Sequence, residues 1–116
     1  MAKRQEDLDR GVAAMLALRG SSNEVQFRVT RGVTRPVWEA DARGMALYDV
    51  ARDIAQGLGF AINPQSSGGG SDGNFVAPLG VPLLDGMGTY GEGLHSEREY
   101  IFARSLPERA ALIQNW

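Results

Sequence analysis

The chain has 116 residues, of which 43% are hydrophobic and 22% charged, and its formal net charge at pH 7 is −2. These values are typical of one soluble globular domain, and the scattered Lys and Arg residues form no basic patch for a nucleic acid or an anionic membrane. The absence of cysteine excludes disulfides and thiol catalysis and fits either redox compartment. We therefore expect neither nucleic acid nor a membrane among the partners.

The N-terminal residues do not predict an export signal. Lys3 and Arg4 precede a short apolar stretch, but acidic residues intervene and Arg19 closes the stretch. A run this short, with charged flanks, suits neither export nor membrane spanning. We predict a cytoplasmic location; a fragment would have lost any signal that preceded it.

The first part of the chain predicts a helix, a strand and a turn. Apolar residues recur at helical spacing over residues 7–19, and a Gly-Ser-Ser sequence ends the pattern. Val25, Phe27 and Val29 alternate with polar residues, which predicts a strand with one buried face. Residues 31–36 are predicted to form the turn that follows.

The second part predicts a long helix and two short strands. Residues 41–58 carry one apolar face at helical spacing, and Gly59 is typical of a helix end. Residues 60–62 and 81–84 are predicted to be brief strands.

Two polar segments indicate helix starts. Ser66–Gly70 has the composition of a turn, and Ser71 or Asp72 is expected to cap a short helix after it. Ser105 and Glu108 fit a capping box at the start of a last helix that reaches the end of the sequence.

The chain contains one histidine, His95, in the segment Gly93-Leu-His-Ser-Glu-Arg-Glu-Tyr-Ile101. Catalytic zinc takes three protein ligands and keeps one position for water. One histidine without cysteine does not complete such a site, so a zinc role requires ligands from elsewhere. The alternative is a surface or core histidine held by hydrogen bonds.

A glycine-rich turn, Gly68-Gly-Gly-Ser-Asp-Gly-Asn-Phe75, lies upstream. Gly-Ser stretches commonly form flexible linkers. Here the polar residues that follow are typical of a helix start, so the glycines would present backbone amides in a concavity that attracts anions. A phosphate loop is disfavoured because no Gly-Lys-Ser/Thr follows.

The order of these features resembles that of a known family. A strand, an Arg-Pro turn, a long helix, the Gly-Gly-Gly-Ser-Asp turn, a short strand and Gly-x-x-His-Ser-x-x-Glu-Tyr follow one another. This order resembles the C-terminal region of the zinc metallopeptidase family containing glutamate carboxypeptidase, acetylornithine deacetylase, succinyl-diaminopimelate desuccinylase and aminoacylase. The resemblance covers essentially the whole chain, and its specificity comes from motif order and spacing.

The resemblance implies an α/β (α+β) fold divided between two domains. Residues 1–34 would be the last helix and strand of a ferredoxin-like lid that dimerises, and residues 35–116 the C-terminal part of an α/β/α catalytic domain. The family's His-x-Asp motif, bridging aspartate, Glu-Glu pair and lid histidine would all lie upstream. We therefore expect a C-terminal fragment without catalytic residues, inactive alone, whose partners are the missing N-terminal part and a second copy bound through the lid.

The resemblance also implies a metal-ligand role for His95. In the intact enzyme two Zn²⁺ ions would activate a water for amide hydrolysis, and His95 matches a zinc-ligating histidine of the family. Gly91 and Gly93 would let the backbone turn tightly around it. Ser96 and Glu99 would be groups that fix the imidazole orientation; the alternative for Glu99 is a solvated charge.

Four further residues match the family's substrate-carboxylate site. Gly69, Gly70 and Ser71 match the turn beside the substrate, and Arg35 matches an arginine whose planar guanidinium holds both carboxylate oxygens. The alternative for Arg35 is a surface arginine. Two extra residues, Val33-Thr34, depart from the glutamate carboxypeptidase pattern and leave glutamate specificity open. The implied substrate is an N-acyl amino acid or small peptide.

Two other classes of function fit the sequence. A non-enzymatic module would use the strand 25–31 for edge pairing with a second copy or another partner. A small-anion-binding domain would use Arg35 and the glycine turn without chemistry. Ligand-dependent stabilisation without metal dependence would identify it.

Overall fold

The structure, a computed structural model, describes residues 2–22 and 25–116. Its mixture of helices and strands confirms the α+β class; a lid and a catalytic domain divided after residue 34 stay predictions. The chain forms two compact units, Met1–Glu39 with Ser67–Val81, called the arginine unit below, and Ala40–Ser66 with Pro82–Trp116, called the histidine unit. Among the described residues, no helix is both long and apolar enough to cross a membrane.

The regular elements are short. In chain order they are α1 Gln5–Leu16, β1 Arg19–Ser22, β2 Val25–Arg28, α2 Ala42–Gly57, α3 Gly73–Val76, β3 Gly91–Glu92, β4 Tyr100–Ile101 and α4 Ser105–Gln114, with one 3₁₀ turn at Ala77–Leu79.

The arginine unit begins with the predicted helix, α1, followed by an antiparallel hairpin of β1 and β2. The strand β1 was not predicted, because its Gly-Ser-Ser sequence has the composition of a helix end. The predicted buried face of β2 is wrong: Val25 and Phe27 are 64% and 49% exposed. Phe27 lies opposite Gly20 in the register, and a glycine offers no side chain to cover the ring.

The histidine unit is built on α2 and α4, which pack together. The helix α2 begins after Asp41, whose carboxylate accepts a hydrogen bond from the Gly44 amide at 2.7 Å. That bond lowers the pKa of Asp41 below its ordinary value. Past the end of the helix, Gly59 adopts a φ of 88°, as its predicted role as a helix stop requires. The fully buried hydrophobic residues among those described are Ala51, Ala55 and Leu112.

Neither short strand predicted in the second part of the sequence forms. Residues 60–62 are held by α2 instead of a strand: the Phe60 amide donates to the Ala55 carbonyl at 3.0 Å, and the Tyr48 hydroxyl donates to the Ile62 carbonyl at 3.1 Å. Residues 81–84 contain Pro82, which lacks the amide that a strand ladder needs.

The last predicted helix is confirmed as α4, but its capping box is wrong. Ser105 is the first helical residue, and its hydroxyl accepts from the Tyr90 amide at 3.3 Å and donates to the Phe102 carbonyl at 2.7 Å. The Glu108 carboxylate accepts from the Tyr90 hydroxyl at 3.3 Å. Both side chains hold the preceding segment rather than the helix's own first amides.

Candidate functional site

The arginine unit brings Arg35 and Gly70 side by side. A Cβ placed on Gly70 would lie 2.9 Å from Cδ of Arg35 and 3.4 Å from its Nε and Nη1. The Arg35 guanidinium also lies over the Phe75 ring, 5.7 Å from its centroid. The glycine turn and the Arg-Pro turn, which the sequence analysis singled out separately, therefore meet at one place.

The side chain of Asn74 joins these two turns. Its Nδ2 donates to the Pro36 carbonyl at 2.8 Å, and its Oδ1 accepts from the Ser71 amide at 2.9 Å. The Ser71 hydroxyl accepts from the Gly73 amide at 3.0 Å, so Ser71, rather than Asp72, bonds the first amide of α3. The turn is thus an ordered structure and not a linker.

Some of the predicted substrate-binding residues have a free hydrogen-bond donor, and others use their donor within the turn. The Gly69 amide donates to the Ser67 hydroxyl at 3.0 Å, and the Ser71 amide is taken by Asn74. Within the described ranges, neither the Gly70 amide nor the Arg35 guanidinium has a protein acceptor. An exposed guanidinium beside an unpaired backbone amide is an arrangement suited to a carboxylate.

His95 lies in the loop between β3 and β4. It adopts a φ of 63°, in the left-handed region, and Gly93 has a φ of 76°. A Cβ on Gly91 would overlap the Tyr100 carbonyl oxygen on the facing strand. Gly93 thus permits the tight turn, as predicted, whereas Gly91 permits the close approach of β3 to β4.

Ser96 and Glu99 bond the backbone of this loop. The Glu99 carboxylate accepts from the His95 amide at 3.3 Å, and the Ser96 hydroxyl donates to the Gly93 carbonyl at 2.7 Å. Neither bond involves the imidazole, so their role in orienting the ring stays a prediction. Among the residues that the structure describes, no group of three or more His, Cys, Asp or Glu side chains could hold a metal ion. These residues alone therefore do not fit a zinc centre.

Tyr90 and Phe102 close the base of the His95 hairpin, which the sequence analysis did not anticipate. The Phe102 amide donates to the Tyr90 carbonyl at 3.0 Å, and the ring centroids are 5.6 Å apart. The Tyr90 hydroxyl accepts from Arg104 Nε at 3.2 Å in addition to its bond with Glu108. The signal in the sequence is the aromatic residue just outside each end of the short hairpin, before Gly91 and after Ile101.

Comparison with known proteins relates the chain to a peptidase. It is 32% identical over 115 residues to carboxypeptidase G2 of Pseudomonas sp. (strain RS-16), and the match covers 91% of this chain and 26% of that protein. The chain thus spans about a quarter of its relative's length. No family model matches the chain, and no solved structure matches it significantly. The relationship supports a carboxypeptidase-like, hydrolase origin.

Proposed function

We propose that the chain is the C-terminal part of a longer dizinc carboxypeptidase or deacylase that hydrolyses the amide bond of an N-acyl amino acid or small peptide. The observation that carries the proposal is the adjacency of Arg35 and Gly70, two unpaired donors at one place. The identity to a carboxypeptidase over most of the chain supports the same reaction class.

Arg35 and Gly70 bind the carboxylate end of the substrate in this proposal. The guanidinium donates through its planar fork, and the Gly70 amide supplies a further donor. The Phe75 face supports the guanidinium from one side. Gly69 and Ser71 shape the turn, since their amides are used within it.

His95 contributes one ligand to the two Zn²⁺ ions of the intact protein in this proposal, and the remaining ligands come from upstream polypeptide. The exposed position of His95 at a hairpin turn suits a ligand that completes a site built by other segments. When bound, zinc would supply the activated water and polarise the scissile carbonyl. Ser96 and Glu99 hold the loop conformation that presents the imidazole.

The large solvent-accessible area of the chain supports the proposal that it is part of a longer protein. The chain exposes 9131 Å². A compact monomer of 12.5 kDa would expose about 6,200 Å², and two separate domains of half that mass about 7,400 Å² together. The exposed area exceeds even the larger of these two values by more than the roughly 800 Å² that each partner contributes to a standard interface. We infer that the longer protein covers much of this surface.

Residues 1–34 belong to the lid of the longer protein in this proposal, and residues 35–116 to its catalytic domain. A second copy pairs through the lid along the edge of the β1–β2 hairpin. A two-stranded hairpin is marginal in water by itself, and β2 is exposed along its length. A homodimer through this edge would supply the missing strand neighbour.

Ligand binding tests the carboxylate site. We expect N-acetyl-L-alanine to shift the Gly70 amide resonance in a ¹⁵N NMR titration, and N-acetyl-L-alaninamide, which lacks the carboxylate, to leave it unchanged. Arg35→Ala should abolish the shift, whereas the exposed Arg28→Ala control should retain it. Equal responses to acid and amide, or a full response in Arg35→Ala, would contradict the site.

Activity tests the fragment assignment. We expect the chain alone to be inactive toward N-acyl amino acids with added zinc, because the described residues form no group of three metal-binding side chains. Hydrolysis that requires zinc and disappears in His95→Ala would overturn this expectation.

A non-enzymatic module, either a dimerisation module or a small-anion-binding one, is the second candidate function. The Arg35–Gly70 arrangement itself favours the anion-binding form, since two unpaired donors bind a carboxylate without a metal. Two results together would favour the anion-binding module over the enzyme. The chain would show a cooperative thermal transition whose midpoint rises when N-acetyl-L-alanine is added, and the upstream sequence would be unrelated to any hydrolase.

A further inference from the structure

Asn74 bonds both segments that form the proposed carboxylate site. Its side chain reaches Pro36, 38 positions away in the chain, and Ser71, three positions away. The side chain is half-buried, which shields both bonds from water. No other residue among those described hydrogen-bonds the Arg-Pro turn and the glycine turn together.

The two bonds require a carboxamide. The Pro36 carbonyl needs a donor and the Ser71 amide needs an acceptor, and an asparagine side chain provides one of each. An aspartate would keep the acceptor but place a charged oxygen against the Pro36 carbonyl. An alanine would lose both bonds.

Each bond lies one residue away from a donor of the site. Pro36 directly follows Arg35, so the first bond fixes the backbone that carries the guanidinium. Ser71 directly follows Gly70, so the second bond fixes the unpaired amide. Phe75 directly follows Asn74, which sets its ring beneath the guanidinium at 5.7 Å.

We propose that Asn74 is a positioning residue that aligns Arg35 and Gly70 on one substrate carboxylate. The inference rests on the proposed carboxylate site and adds a residue to it. Asn74 does not touch the substrate. By fixing the two turns before the ligand binds, it reduces the conformational entropy that is lost on binding.

The test compares three variants of the whole chain by the Kd of N-acetyl-L-alanine and by thermal midpoint. Asn74→Ala should raise Kd about tenfold, the loss expected for a neutral hydrogen-bond pair. Asn115→Ala is the matched control, because Asn115 Nδ2 donates to the Ala111 carbonyl at the same 2.8 Å but lies in the histidine unit. The control should retain the wild-type Kd, and its midpoint should fall less than that of Asn74→Ala, because Asn115 is exposed and its side chain makes one bond instead of two.

Asn74→Asp separates alignment from folding and charge. It keeps the acceptor for Ser71, so the turn is retained if Asn74→Ala fails to fold. Its Kd should be raised both in low salt and in 1 M salt, where charge repulsion is screened. At saturating N-acetyl-L-alanine, the shift of its Gly70 amide resonance should be smaller than in the wild type, because that amide is no longer aligned on the carboxylate.

Wild-type affinity for N-acetyl-L-alanine in either Asn74 variant would overturn the inference. If Arg35→Ala abolishes binding while Asn74→Asp does not weaken it, the proposed site stands and the positioning role fails. If Arg35→Ala binds as the wild type does, the proposed site itself fails.

Discussion

Arg35 and Gly70 meet within the arginine unit, where Asn74 and Phe75 hold them, whereas the hairpin neighbours Ser96 and Glu99 bond the backbone around His95 and not its ring. A carboxylate site needs a few donors, and one local structure can supply them. A zinc site needs several ligands, and these come from distant parts of a sequence. Under the proposed function, carboxylate binding would therefore depend on this chain alone, and zinc chemistry on further polypeptide.

Gly91→Ala should have the largest effect on stability, because it should disrupt the β3–β4 hairpin that carries His95. The added Cβ would overlap backbone atoms of Tyr100 and Ile101, which cannot move aside as a side chain can. The cost is about 3 kcal/mol, the upper end for an overpacked site.

Amide hydrogen exchange measures this effect. The Phe102 amide, which bonds the Tyr90 carbonyl, should lose protection in Gly91→Ala. Gly88→Ala is the control, since its Cβ would meet open space. Unchanged protection of Phe102 in Gly91→Ala would contradict the hairpin geometry, and carboxylate binding in the arginine unit should be unaffected by either variant.

Gly70→Ala should weaken carboxylate binding while leaving the His95 hairpin intact. The added methyl would lie 2.9 Å from Cδ of Arg35, so the flexible arginine must shift. Leaving its preferred rotamer costs about 0.5–1.5 kcal/mol, which corresponds to a rise in Kd of about twofold to twelvefold. Gly11→Ala, whose Cβ would meet open space in the same unit, is the control for isothermal titration. Equal Kd values for the two variants would contradict the contact.

Acid should destabilise the histidine unit through Asp41. Its pKa is lowered in the folded chain, chiefly by the bond from the Gly44 amide. The stability that it adds is present above its ordinary pKa of 3.8 and is lost as the pH falls through the lower, folded value. Asp41→Asn keeps an acceptor for the helix start and removes the titrating group.

Circular dichroism of thermal unfolding from pH 5 to pH 2 checks the contribution of Asp41. The midpoint of the wild type should fall further over this range than the midpoint of Asp41→Asn. Parallel pH profiles for the two proteins would remove Asp41 as the cause.

His95→Ala should leave carboxylate binding unchanged, which is the smallest effect expected among these substitutions. The His95 loop lies in the histidine unit and Arg35 in the arginine unit. An NMR titration with N-acetyl-L-alanine should give the wild-type Kd. A raised Kd would show that His95 and the carboxylate site are coupled in this chain.

The helices were predictable because their evidence lies within each segment. The apolar spacing in α1 and α2 repeats over several turns, and Gly59 ends α2 as expected. The strands were less predictable, because an extended segment is decided by what lies beside it. Phe27 alternates as a half-buried strand residue should, yet it faces Gly20 and stays exposed.

The candidate sites were likewise predictable only where the evidence lies within one segment of the sequence. Arg35 and Gly70 were each selected from local motifs, and the resemblance to a family linked them to one ligand. The bonds of Asn74 and Tyr90 could not be predicted, because they join residues 38 and 15 positions apart, although the aromatic residues at both ends of the His95 hairpin are visible in the sequence. Such bonds depend on how separate turns come together in the folded chain.

The first measurement to make is the coding sequence immediately upstream of Met1, read in the same frame for a few hundred codons, because it tests whether the chain is part of a longer hydrolase. If the chain is part of a longer dizinc hydrolase, this sequence should encode a His-x-Asp motif followed by an adjacent Glu-Glu pair, the ligands that His95 lacks. An in-frame stop codon with no related sequence before it would contradict the claim. His95 would then lose its proposed role, and the anion-binding module would remain.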